Sequence, residues 1–312
     1  MSWGRPARVF AKGGTRIALA GALPLLALSV RAAIAGTMPM PAPSPSPSAP
    51  AAAGPCSQPA LSSIAVRPGI GRAPATSGAV CVAPPGAVVI GAGYREQTTI
   101  GSGRQQLEVY PEPVALVGIL PRAELIVAPG LTYSRRLGTS GSGFPALAGQ
   151  QDVGLGAQYL LGNRPAFQQA LAVVATFPTG FPVGSLGFSS GLPTYTASYA
   201  AATSLSGALG LSTSQGVVVA SAQDASGNLR RYVAYQPTLN LSYAAGALTT
   251  LLLEDQISAP TGPDAPTGNR ALFAVQRVVG TNVVLDAEYE INLLPAPGFA
   301  QHALGTGITV RL

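Results

Sequence analysis

The chain has 312 residues and a formal net charge of +6, with 10% charged and 47% hydrophobic residues and a mean hydropathy of +0.34. From residue 86 onward no apolar run approaches the roughly 20 residues that a membrane-crossing helix needs, and heptads are absent, which excludes helical spans and coiled coils from that region. Five of the 18 basic residues (Arg5, Arg8, Lys12, Arg16 and Arg31) and none of the 12 acidic ones lie at the start, so the rest of the chain is nearly neutral and argues against a nucleic-acid partner.

In chain order, the early cations precede an apolar stretch at residues 17–30, and Ala33-Ile34-Ala35 offers an A-x-A cleavage site before Gly36. Residues 1–35 therefore read as a Sec-type secretory signal peptide whose apolar part is too short to span a bilayer. Arg31 leaves the cleavage position open, and an uncleaved anchor is the competing reading. Residues 36–55 are rich in Pro, Ala and Ser, with almost nothing to bury, and predict an extended, disordered linker. Residues 56–85 follow as a periplasmic N-terminal segment containing Cys56 and Cys81, which in an exported protein are candidates for a disulfide. Lipidation of Cys56 is disfavoured by the Gly54-Pro55 that precedes it.

Residues 86–312 carry about twelve strand-length segments of period two. Val88, Ile90, Ala92 and Tyr94 alternate with Val89, Gly91, Gly93 and Arg95; Val153, Leu155, Ala157 and Tyr159 alternate with Gly154, Gly156 and Gln158. Later, Val233, Tyr235, Leu239, Leu241 and Tyr243 lie opposite Gln236, Thr238, Asn240 and Ser242, and Leu285, Ala287, Tyr289 and Ile291 lie opposite Asp286, Glu288, Glu290 and Asn292. The last segment places Leu304, Thr306, Ile308, Val310 and Leu312 on one face. If the apolar faces meet lipid, the small and polar faces must meet a lumen, because an unpaired carboxylate in hydrocarbon costs several kcal/mol.

The connections alternate in length. Leu120-Pro121-Arg122, Gly162-Asn163-Arg164-Pro165, Ser204-Leu205-Ser206-Gly207, Ala244-Ala245-Gly246 and Gly280-Thr281-Asn282 form a short class; residues 98–104, 135–149, 178–192, 222–229, 260–268 and 295–301 form a long one. Short turns on one side and long loops on the other predict an all-β, transmembrane antiparallel barrel of the outer-membrane type, with both chain ends on the short-turn side. Tyrosines and phenylalanines towards the strand ends suit interfacial girdles, although they would also cap a soluble β-sandwich, which the loop parity does not fit.

Arg67-Pro68-Gly69, Pro84-Pro85-Gly86 entering a strand, Tyr110-Pro111-Glu112, Phe177-Pro178-Thr179-Gly180 and the closing run from Gly305 to Arg311 resemble the outer-membrane transporters described as "MetA-pathway of phenol degradation". The resemblance runs over about residues 63–312 and implies a barrel passing small, often aromatic or hydrophobic, compounds. The terminal Leu312 departs from the C-terminal aromatic usual in outer-membrane barrels, which bears on recognition by the barrel assembly machinery.

Candidate lumen residues are Arg95, Glu108, Glu112, Glu124, Gln158, Gln168, Gln236, Asn240, Arg270, Asp286, Glu288, Glu290 and Arg311. Because the first and last strands must pair, Arg95 and Arg311 are expected near the acidic penultimate strand, in a charge ladder with Glu288 and Glu290. The competing reading is that the same pairs only neutralise one another and fill a plugged lumen. His302 is the only histidine, no G-x-S-x-G elbow is present, and two cysteines with one histidine do not make a zinc site, so neither catalysis, a metal nor another cofactor is expected. The sequence thus predicts an outer-membrane channel for a small organic solute, in contact with outer-membrane lipid. The alternative is a plugged barrel that binds a surface ligand through its long loops.

Overall fold

The computed structural model describes residues 80–100, 104–130, 133–138, 147–164, 167–181, 189, 191–223, 229–260, 268–294 and 300–312; the expected signal peptide, linker and Cys56 lie outside them. The secondary structure is β1 (Val88–Ile100), β2 (Arg104–Tyr110), β3 (Val114–Leu120), β4 (Ala123–Ala128), β5 (Tyr133–Gly138), β6 (Leu147–Gln150), β7 (Val153–Arg164), β8 (Phe167–Phe177), β9 (Thr194–Ser204), β10 (Leu209–Gln223), β11 (Leu229–Ala244), β12 (Thr249–Pro260), β13 (Gly268–Val279), β14 (Val283–Asn292) and β15 (Ala300–Arg311).

These form one antiparallel sheet that closes on itself where β1 pairs with β15 along its whole length, from Val89 opposite Arg311 to Thr99 opposite Ala300. Closure removes the free edges that would otherwise leave backbone groups unpaired in hydrocarbon. The lower half of β1 pairs with β3 and its upper half with β2, while β3 pairs with β4, β2 with β5, β4 with β7 and β5 with β6. Three barrel strands are therefore each built of two halves, β2/β3, β4/β5 and β6/β7, and the barrel has twelve strands.

The halves are separated for chemical reasons. Pro111 and Pro113 have no N–H to give to the ladder, and Glu112 N between them still reaches Gly93 O at 3.2 Å. Gly130 between β4 and β5 adopts a φ of 68°, which a residue with a Cβ resists. Beyond β6, the chain after β8 repairs the gap: Val153 N donates to Thr179 Oγ1 at 2.9 Å, Gly180 N donates to Asp152 Oδ1 at 2.9 Å, and Gln150 exchanges backbone hydrogen bonds with Phe181. The Phe177-Pro178-Thr179-Gly180 run is thus a brace across a break in the wall.

Burial alternates as a barrel requires. On β8, positions 168, 170, 172 and 174 are buried while Phe167, Leu171, Val173 and Phe177 are exposed; on β14, Val284, Asp286, Glu288 and Glu290 are buried while Leu285, Tyr289 and Ile291 are exposed. The outer surface is accordingly aliphatic and aromatic, the face a bilayer stabilises. The uninterrupted strands, from 10 residues (β14) to 16 (β11), exceed or match the ~9–11 that a tilted strand needs to cross the hydrocarbon. Short turns join β3 to β4, β9 to β10, β11 to β12 and β13 to β14, with Gly280 at a φ of 77° in the last. At the opposite end connections are shorter than the sequence suggests: residues 98–100 and 104 belong to β1 and β2, leaving 101–103 between them, and residues 135–138 and 147–149 belong to β5 and β6, leaving 139–146.

Candidate functional site

The lumen has two unlike walls. On β4, β7, β8 and β9 the inward positions are Glu124, Gln158, Gln168 and a set of small residues including Ala170, Ala172, Ser198, Ala200 and Ala202, all buried. The small residues leave room for chain, and residues 80–84 occupy it. Val80 and Cys81 pack on Ala170, Ala200 and Ala202, while Ala83 packs with Val89, Val114, Leu116, Ile126, Ala172 and Val174. Glu124 Oε2 accepts a hydrogen bond from Ala83 N at 2.6 Å, and Gln158 Nε2 donates to Cys81 O at 3.0 Å. Gly118 is bare for the same reason: a Cβ there would run into the Pro84 carbonyl oxygen. The described end of the segment expected in the periplasm therefore lies against the inner wall. Pattern alone does not tell on which side of the wall a non-strand segment runs.

The second wall, β12 to β15 and β1, is charged. Glu254 and Gln256 on β12, Arg270 and Gln276 on β13, Asp286, Glu288 and Glu290 on β14 and Arg95 on β1 share the inward face. Glu290 is the centre: its Oε2 lies 3.4 Å from Arg95 Nη2 and its Oε1 3.3 Å from Arg270 Nη1, while Arg270 also donates to Gln256 Oε1. β15 stands between β14 and β1 but contributes glycine, so the acidic side chains reach past it; a Cβ on Gly305 would lie 2.5 Å from Glu288 Oε1. At 5% and 7% exposure Glu290 and Arg95 have given up most of their hydration, and each depends on the other for compensation.

The remaining expected residues fall as follows. Asn240 is buried on the inward face of β11 and Gln236, half-buried, shares its parity. Arg311 shares the inward parity of β15 but stands opposite Val89, six residues beyond Gly305 and so about 20 Å along the strand from the level of Glu288. The expected ladder partner Arg311 is thus replaced by Arg270. Glu108 is corrected to the outer face: it pairs with Glu96 while its neighbour Val109, opposite Arg95, is the inward residue. Glu112 sits in the break between β2 and β3, where the proline pair shifts the parity, so it is not a strand residue of the lumen face.

Glu254, Gln256 and Gln276 were not singled out from sequence. Glu254 and Asp255 are adjacent in a strand, so one acid of the two has to face inward; that signal was available, and the structure makes it Glu254, with Asp255 exposed. His302 lies opposite Ile291 on the outer-facing parity and stacks on Tyr289 with ring centroids 6.4 Å apart. Among the described residues no three His, Cys, Asp or Glu side chains are grouped to hold a metal ion. Cys81 is not a free thiol.

No protein-family model matches the chain, and no curated protein matches it. Solved structures do. The COG4313 outer membrane channel from Pseudomonas putida F1 aligns over 75% of this chain and 98% of its own, with a TM-score of 0.59 at 15% identity. The NanC porin aligns over 72% of this chain and 100% of its own (TM-score 0.47, 12% identity), and the KdgM porin in complex with disordered oligogalacturonate over 70% and 98% (TM-score 0.43, 11% identity). At that identity the first of these speaks for the fold: the chain folds as a closed, twelve-stranded antiparallel β-barrel of the outer-membrane type.

Proposed function

We propose that the protein is an outer-membrane channel through which a small organic solute permeates along the charged wall of β12 to β15 and β1. The observation that carries this reading is the Arg95–Glu290–Arg270 arrangement on the inward face of a closed barrel, since charged side chains lining a pore are one way channels select what passes. The structural likeness to a protein described as an outer membrane channel supports it. A small, apolar or aromatic solute is in keeping with the resemblance to phenol-degradation transporters, which rests on the short sequence motifs quoted above. In the same reading residues 1–35 direct export, residues 36–55 form a linker, the barrel assembly machinery inserts residues 86–312, and Cys56 pairs with Cys81 to fix the segment that enters the lumen.

A second reading, a plugged barrel acting through its long loops, is favoured by one feature, the packing of residues 80–84 against Glu124 and Gln158. Planar-bilayer recording separates the two. The channel reading expects discrete conductance steps from the refolded mature protein; heat-modifiable migration on gels without conductance favours the plugged barrel.

A further inference from the structure

On the outer face, away from the lumen, β7, β8 and β9 form a hollow. Strand register sets Leu155, Ala175 and Tyr195 in one row and Ala157, Val173 and Ala197 in the next. Three alanines alternate with larger neighbours, so the wall is recessed where a flat lipid-facing surface would need no recess. The volume is about 550 Å³, continued on β10 by Val217 and Val219, and is typical in size of a site for a small molecule. The next row, towards the short turns, carries Tyr159, Leu171 and Tyr199. At the other end Arg231, exposed on the outward face of β11, lies over the Tyr195 ring, 5.9 Å from its centroid.

An apolar hollow capped at its water-side end by a cation matches the charge distribution of a lipid, with an acyl chain below and a phosphate above. Guanidinium suits phosphate because its planar fork offers two parallel donors, and stacking on Tyr195 limits the freedom lost on binding. We propose that this hollow docks a phosphate-bearing lipid of the outer leaflet, one acyl chain lying on Ala175 and Ala197 and the phosphate on Arg231. This rests on the membrane-barrel reading above.

Native mass spectrometry of the full mature chain in detergent, with lipid A carrying its two phosphates and with the same lipid dephosphorylated, tests it. The expected result is about tenfold preferential retention of the phosphorylated form. Arg231→Gln should remove that preference, and the paired Ala175→Leu and Ala197→Leu, which fill the hollow from the lipid side, should remove binding of both forms. Glycerol phosphate in excess should displace neither. Equal retention of the two forms by the wild type, retention unaltered by the variants, or displacement by glycerol phosphate overturns the lipid site. Gel migration on heating is recorded for every sample. A wild-type chain that does not fold in detergent overturns the membrane-barrel reading as well, whereas a folded chain without preference overturns the lipid site alone.

Discussion

The two inner walls of this barrel solve opposite problems. On β8 and β9 the inward side chains are mainly alanine and serine, and the chain itself fills the space they leave, held by hydrogen bonds to Glu124 and Gln158. On β12 to β14 the inward side chains combine an apolar cluster, Leu252, Leu272 and Ala274, with the ionic Glu254, Arg270, Asp286, Glu288 and Glu290, and Glu290 reaches both Arg270 on the next strand and Arg95 beyond β15. Small inward residues thus mark a wall that carries chain, and ionic ones a wall whose buried charges compensate one another.

The largest effect should come from breaking the charged wall at its centre. Glu290→Leu leaves Arg95 and Arg270 without their shared carboxylate, and removal of one partner from a buried pair costs about 3–5 kcal/mol. The urea midpoint for loss of heat-modifiable migration should fall accordingly; an unchanged midpoint would mean that water already satisfies both arginines. On the other wall, Gly118→Val drives a side chain into the Pro84 carbonyl and should dislodge residues 80–84 while the strands persist. Faster proteolysis of the N-terminal segment in a still heat-modifiable barrel is the expected readout, and unaltered protection would count against the luminal placement.

A smaller effect is expected from Glu124→Ala, which removes a buried hydrogen bond to Ala83 N worth about 0.5–1.5 kcal/mol. Its mark should be a longer open time in single-channel records, with the unitary conductance little altered. The smallest belongs to Glu108→Gln, on the outer face: ion selectivity should not change, and a shift would return Glu108 to the lumen.

Where charges alternate strictly with apolar residues, as on β14, the facing is legible in the sequence. Asp286, Glu288 and Glu290 alternate with Leu285, Ala287, Tyr289 and Ile291, and only one side of a membrane barrel tolerates the acids. Two-residue periodicity, however, carries facing and not height. It placed Arg311 on the inward face without showing that strand stagger sets it far from Glu288, and it missed Arg270 as the second partner of Glu290. Periodicity also fails across an interruption: Pro111-Glu112-Pro113 shifts the parity between β2 and β3, which is why Glu108 was assigned to the wrong side. The luminal course of residues 80–84 had no pattern to reveal it, although the run of alanines at 170, 172, 200 and 202 is its imprint on the wall.

The most direct test of the central claim, that the charged wall lines the permeation path, is the reversal potential of single channels under a salt gradient, for the wild type and for Glu288→Gln. Both proteins are first checked for heat-modifiable migration. Removal of one luminal carboxylate is predicted to move the reversal potential towards anion permeability. Identical reversal potentials in two conducting, folded proteins would contradict the claim and leave the charges as filling alone.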